Sequence, residues 1–181
     1  VPLYMSTVLG WNFTTVGAFF ALWVIGYGLV QSAAPGLLAR GGAFPHGGTA
    51  QRWALILTLV ATAIASLMAL NWQPTAVLVV GLALFGVVFA MNSAIHSFLI
   101  LAYSDNDKVA LNVGFYYMAN AGGRLLGTIA SGLLYQWLGL GGALWGAVVC
   151  LLVTWVISWQ LPRDVIPSEQ YLAQIGTISA E

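Results

Sequence analysis

The chain has 181 residues, 60% hydrophobic and 6% charged, with five Lys and Arg against five Asp and Glu. Its mean hydropathy is +0.91. A water-soluble domain carries about 25% charged residues, so a soluble enzyme and a disordered chain are both excluded. Zero net charge with no basic run also excludes a nucleic-acid partner. The medium around most of this chain is lipid.

In chain order, Val1–Leu9 is apolar until Gly10, Trp11 and Asn12 interrupt it. Nine helical residues reach about 13 Å, less than half a bilayer. No basic segment with a small-residue cleavage site accompanies the stretch, so it reads as the end of a helix whose start is missing, not as a signal peptide. A crossing needs about 20 apolar residues. Five stretches qualify: Thr15–Leu38, Trp53–Leu70, Thr75–Tyr103, Val109–Trp137 and Gly141–Leu161. The breaks hold Gly41, Gly42, Pro45, Gly47 and Gly48, then Asn71–Pro74, then Ser104–Lys108, then the glycines around Leu140. The expected fold class is an all-α membrane protein with five complete transmembrane helices plus the end of a sixth. Residues 1–162 make the bundle and 163–181 a polar tail.

Arg40 and Arg52 flank the loop after the first full helix, Lys108 follows the third and Arg163 the fifth. The loops 10–14, 71–74 and 138–141 carry no Lys or Arg. This alternation predicts an inner-membrane protein with its basic loops and C-terminal tail in the cytoplasm. Trp11, Trp72 and Trp137 on one side, with Trp53 and Trp159 on the other, suit interfacial aromatic belts. Cys150, alone, reads as a small apolar residue.

Polar groups inside spans carry the remaining information. Arg124 is the one fixed charge within a span, and no Asp or Glu lies in any of them. A central Arg costs at least about 2.5–3.5 kcal/mol on insertion scales, so it faces a bundle interior or water. Either it bonds helix carbonyls structurally, or it meets an anionic ligand. Tyr116, Asn120, Arg124 and Thr128 form one stripe at four-residue spacing, beside a small-residue stripe of Gly123, Gly127 and Ser131. The first stripe predicts a polar lining and the second a close helix contact. Asn92, Ser93, His96 and Ser97 gather on the third full helix. There His96 is either a neutral residue bonded to a partner helix or a proton or substrate contact. Tyr27 and Gln31 share a face of the first full helix, one turn before Pro35, and Gln31 either lines a cavity or joins helices.

Enzyme motifs fail. His46 and His96 lack nearby carboxylates and make no metal site. Ser131 and His96 lack the context of a nucleophilic dyad, and Gly122-Gly123-Arg124 lacks the lysine of a phosphate loop. No catalytic residue, cofactor or metal is expected.

The six-helix pattern, the glycine-rich packing and the basic loop after its second helix resemble half of a major facilitator superfamily transporter. The loop from Gly36 to Arg40 matches that superfamily's basic loop motif only weakly, without its Asp and second glycine-Arg pair. Three strings are more specific: Leu22–Gln31 (LWVIGYGLVQ), Asn92–Asp105 (NSAIHSFLILAYSD) and Asn112–Tyr135 (NVGFYYMANAGGRLLGTIASGLLY). Together they resemble the C-terminal half of the organoarsenical-efflux permeases of the ArsJ type, over about Val1 to Pro162. The resemblance implies export of 1-arseno-3-phosphoglycerate, driven by proton-motive force, and a partner in the missing N-terminal half. Arg124 would then meet the polyanion, with Asn120, Tyr116, Tyr117, Gln31 and Tyr27 as neutral neighbours and His96 and Asn92 as proton or substrate contacts. Two rivals keep the same fold: a membrane assembly module without transport, and an exporter of another small molecule.

Overall fold

The computed structural model describes residues 1–39, 45–104 and 108–163. In lipid a backbone satisfies its own hydrogen bonds only as a helix or a closed barrel, and apolar segments of this length fold as helices. They are α1 (Pro2–Thr7), α2 (Phe13–Ala39), α3 (Gly47–Ala69), α4 (Pro74–Ala102) and α5 (Val109–Ile157), with a 3-10 turn at Ser158–Gln160. Among the described residues four helices are long and apolar enough to cross a membrane: Phe13–Leu37, Gly47–Ala69, Pro74–Ala102 and Val109–Gln160.

Local chemistry sets the ends. Asn12 Oδ1 accepts the Thr15 N–H at 2.7 Å, which caps α2. Pro74 opens α4 at a position where a missing N–H costs nothing. The tight turn before it places Asn71 and Gln73 at φ of 54° and 44°. At α3, His46 is the cap: its Nδ1 accepts the Gly48 N–H at 3.1 Å, and Thr49 returns a bond to the His46 N–H.

Several boundaries differ from expectation. α3 begins at Gly47, six residues before the expected Trp53, so Arg52 lies within the helix and not beside a loop. α2 continues through Pro35 to Ala39, within a residue of the expected end at Leu38, so the residues compared with a basic loop motif, 36–39, are helical. Proline removes one bond without ending a helix held on both sides by apolar segments. Pro35 has no N–H for the carbonyl of Gln31, four residues earlier. Arg40, the Gly41–Gly42 break, residues 105–107 and the tail from 164 lie outside the described residues.

The fourth expected span and most of the fifth, up to Ile157, lie in α5. A straight helix of 49 residues would be about 74 Å long, more than twice the hydrocarbon thickness. Gly139 breaks it, at φ 66° and ψ −162°, a conformation open essentially to glycine alone. The chain folds back there. A Cβ on Gly146 would meet the Leu134 side chain, and one on Gly142 the Leu138 side chain and, at 3.1 Å, the Leu134 carbonyl. In an unbroken helix Leu134 and Gly146 would stand about 18 Å apart. The second arm, 140–157, packs antiparallel on α3 through Val148, Ala61 and Ala65.

α3 sits at the centre. Ile64 meets Gly81 of α4 so closely that a Cβ there would lie 2.7 Å from Ile64 Cγ1. At one end Met5, Val16, Ile64, Met68, Val77, Leu78 and Leu140 form the largest buried cluster, which ties α1 to the other helices. At the opposite end Ala50, Ile95 and Leu99 pack together. α2 runs parallel to α4, since Trp23, Tyr27 and Gln31 meet Leu82, Phe89 and Ser93 in that order.

The end holding Ala50 is closed by a small polar junction. Tyr103 Oη donates to the Pro162 carbonyl at 2.6 Å, and the Gly47 N–H donates to the same oxygen at 3.0 Å. One carbonyl thus joins the start of α3, the end of α4 and the segment after α5. Burial raises the Tyr103 pKa above its ordinary 10.0, because the phenolate is disfavoured away from water. A raised pKa contributes stability below the unfolded value and loses it as pH climbs above 10.0 through the folded value. Alkaline pH should therefore increase amide exchange at Gly47, after correction for chemical exchange. Tyr103→Phe should be looser at neutral pH and lack the alkaline step; an identical step in that variant would exclude Tyr103 as its source.

Candidate functional site

The polar residues of α4 occupy one and a half turns, and two other helices reach them. Gln31 Nε2 of α2 donates to Ser93 Oγ at 3.4 Å. Ser97 Oγ and Tyr116 Oη of α5 lie 3.4 Å apart. His96 Nδ1 lies 2.8 Å from the Asn92 carbonyl oxygen. A carbonyl only accepts, so Nδ1 carries the hydrogen and the neutral ring presents a bare Nε2. His96 therefore bonds its own helix, not a partner helix as one expectation had it, because the carbonyl four residues back is within reach of the ring. Asn92 is 9% exposed, and its Oδ1 has no hydrogen-bond partner among the described residues. An unpaired buried acceptor costs about 1–3 kcal/mol.

Beside this turn, α2 and α4 line a half-open cavity of about 320 Å³, with Phe19, Trp23, Tyr27, Val30, Gly86 and Val87 among its walls. Trp23 and Tyr27 stack at 5.9 Å, Tyr27 meets Phe89 at 5.7 Å, and Phe89 stacks on Phe85 at 5.8 Å. Trp23 Nε1 donates to the Leu82 carbonyl at 2.6 Å. Sequence reading missed Trp23. Its signal was a tryptophan well inside a span, one turn from Tyr27, where the interfacial belts do not reach.

Gly86 is what lets the indole approach: a Cβ there would lie 2.9 Å from Trp23 Nε1. Gly86→Ala should displace the ring and destabilise the protein by about 1–2 kcal/mol. In a Trp23→Phe background, which has no N–H to lose, thermal unfolding should show a smaller effect; equal effects would place the strain elsewhere.

The other candidates lie along the first arm of α5, residues 109–138. Tyr116 and Asn120 are half-buried, whereas Tyr117 is 65% exposed and Arg124 and Thr128 are exposed. Arg124 lies about 12 Å beyond Tyr116 along the helix. Its guanidinium makes no hydrogen bond or ion pair among the described residues; only its backbone carbonyl is engaged, by Thr128 Oγ1 at 2.8 Å. The Gly123 and Gly127 positions meet nothing within 4 Å, so no described helix fills the small-residue stripe. Tyr27, Gln31, Asn92, His96 and Tyr116 are thus gathered around α4, and Tyr117, Asn120 and Arg124 stand apart. Among the described residues no group of His, Cys, Asp or Glu is arranged to hold a metal.

A bundle of long apolar helices with intramembrane polar groups fits a carrier better than an enzyme, and the family comparison decides it. Residues 1–176 match the model of the Major Facilitator Superfamily. The chain belongs to the Major Facilitator Superfamily. No curated relative and no solved structure matches it. This facilitator is a multi-pass membrane protein of the transporter kind, set in a lipid bilayer and carrying a small substrate. The polar turn of α4 and the first arm of α5 both place polar side chains within crossing helices.

Proposed function

We propose that this facilitator is the C-terminal six-helix half of a secondary active transporter that exports an organic anion, 1-arseno-3-phosphoglycerate, by alternating access. The two arms of α5 act as separate crossings, and the polar tail lies in the cytoplasm of a cell with this protein in its inner membrane. The single observation that carries the reading is Arg124, a guanidinium within a span of a chain whose spans hold no Asp or Glu. A fork of N–H donors that cannot lose its charge matches arsenate and phosphate oxygens. Asn120, Tyr116, Tyr117, Gln31 and Tyr27 supply neutral donors along the path. The other six-helix half covers the open stripes of the first arm, and rocking of the halves exposes the site to each side in turn.

The reading is tested in arsenate-treated cells that make glyceraldehyde-3-phosphate dehydrogenase. Expression of the full-length protein should lower cellular arsenic only while that enzyme is present. Equal arsenic with and without the transporter would defeat it. A second reading rests on the α2/α4 cavity, whose aromatic and aliphatic walls suit an apolar solute. It makes the protein an exporter of another small molecule, and it wins if Trp23→Ala, but not Arg124→Gln, abolishes export.

A further inference from the structure

We propose that the half-open groove between α2 and α4 holds the acyl chain of a bilayer lipid. The proposal goes beyond the transport reading and stands whatever small substrate the facilitator carries. Three observations carry it: the depth of the groove, the chemistry of its walls and the surface onto which it opens.

The groove lies far from either membrane face. Its wall on α2 runs from Phe19 to Val30, inside the crossing segment Phe13–Leu37. With a rise of about 1.5 Å per residue, it begins about 9 Å from one end of that segment and stops about 10 Å from the other. A hydrocarbon layer is about 30 Å thick, so the groove sits around its middle, where lipid tails end and headgroups do not reach.

The walls offer an occupant little besides hydrocarbon and ring faces. Of the nine residues that line the groove, only Trp23 and Tyr27 carry a polar side-chain atom. The Trp23 N–H is already given to the Leu82 carbonyl at 2.6 Å, which leaves the Tyr27 hydroxyl. A solute with several polar groups would bury them unpaired here and lose about tenfold in affinity, or more, for each. A methylene chain loses nothing. It needs no hydrophobic drive either, since it passes from one apolar medium to another. What favours it is filling, because an empty groove leaves the Trp23 and Tyr27 rings without dispersion partners on one side.

The opening is continuous with the apolar outside of the crossing helices. Leu22 and Val87 line the groove and are 69% and 45% exposed, so they form its rims. Ile25 and Leu84, beside them, are exposed as well. In a protein set in a bilayer, acyl chains are the solvent for such a surface, at a concentration no dissolved solute matches. Gly26 supplies the room. It lines the groove, and a Cβ there would meet nothing within 4 Å, whereas the indole of Trp23 already closes the space over Gly86 on the facing wall.

The test is magic-angle-spinning NMR of the full-length protein in phosphatidylcholine vesicles, with 13C-labelled tryptophan. The Trp23 ring signals are assigned by their loss in Trp23→Phe. At short mixing times, magnetisation should pass from lipid-chain protons to the Trp23 ring, and this transfer should vanish when the chains are deuterated. Gly26→Leu places a side chain where the lipid tail lay and should weaken the transfer several-fold. Gly28 is exposed and does not line the groove, so Gly28→Leu should keep it. If Gly26→Leu fails to fold, Ala83→Leu fills the same space from α4. Transfer from water in place of lipid would overturn the proposal. So would transfer from protein side chains alone, with the rest of the full-length chain covering the groove. Undiminished transfer in the filled variant would put the lipid outside the groove and overturn it too. Because no cargo is present, none of these results bears on which anion is exported.

Discussion

Arg124→Gln should lower export of the arsenylated triose by about ten- to a hundred-fold at unchanged membrane abundance, the loss expected for charge-assisted hydrogen bonds to an anion. Arg124→Lys should fall between the two, since a lysine keeps the charge but loses the planar fork that grips two oxygens at once. A guanidinium in a crossing helix is costly, and among the described residues its side chain has no partner to offset that cost. Residues that serve only to hold segments together are satisfied by those segments, as Tyr103 is by the Pro162 carbonyl. Arg124 is not. The check is arsenic efflux measured beside surface abundance in the full-length protein. Equal efflux in wild type and Arg124→Gln would assign the residue to structure and remove the case for an anion path along α5.

Gly139→Val should be the most destabilising single substitution in the helices. At φ 66° and ψ −162° an L side chain meets its own backbone, at a cost of about 1–3 kcal/mol. The strain cannot be relieved locally, because Leu134 and Leu138 lie against Gly146 and Gly142 and keep the arms together. In thermal unfolding of the purified protein the variant should melt roughly 3–10 °C lower. It should also lose a disulfide engineered between positions 134 and 146 in a Cys150→Ser background. Retention of both the melting temperature and the cross-link would mean that the bend does not depend on glycine at this place.

Much of the bundle is legible in the amino-acid sequence. Hydropathy and breakers located both ends of α2 and α4 to within two residues and the end of α3 to within one, because a lipid-embedded backbone has few alternatives to a helix, but placed the start of α3 six residues late. Larger differences came where a breaker failed to break. Gly47 and Gly48, expected in a break, form the first turn of α3, where the His46 side chain caps the backbone. The glycines near Leu140 have the sequence pattern of a loop, but only Gly139 leaves the helical conformation, and the bend is a single residue. Polar candidates were recognised by residue type, and that signal does not include a partner. His96 was weighed as a link to another helix; its ring instead reaches the carbonyl one turn back, which no spacing rule distinguishes.

Composition and periodicity alone therefore determined that this chain lives in lipid, which segments are helical, and which side chains are out of place among hydrocarbon. Those properties depend on transfer free energies and a repeat of 3.6 residues, both local in the chain. Only tertiary structure decided that α2 lies parallel to α4, that Trp23 enters the space left by Gly86, and that α5 folds back on itself. These are contacts between residues far apart in sequence, chosen by shape and close approach, and hydropathy carries no information about shape.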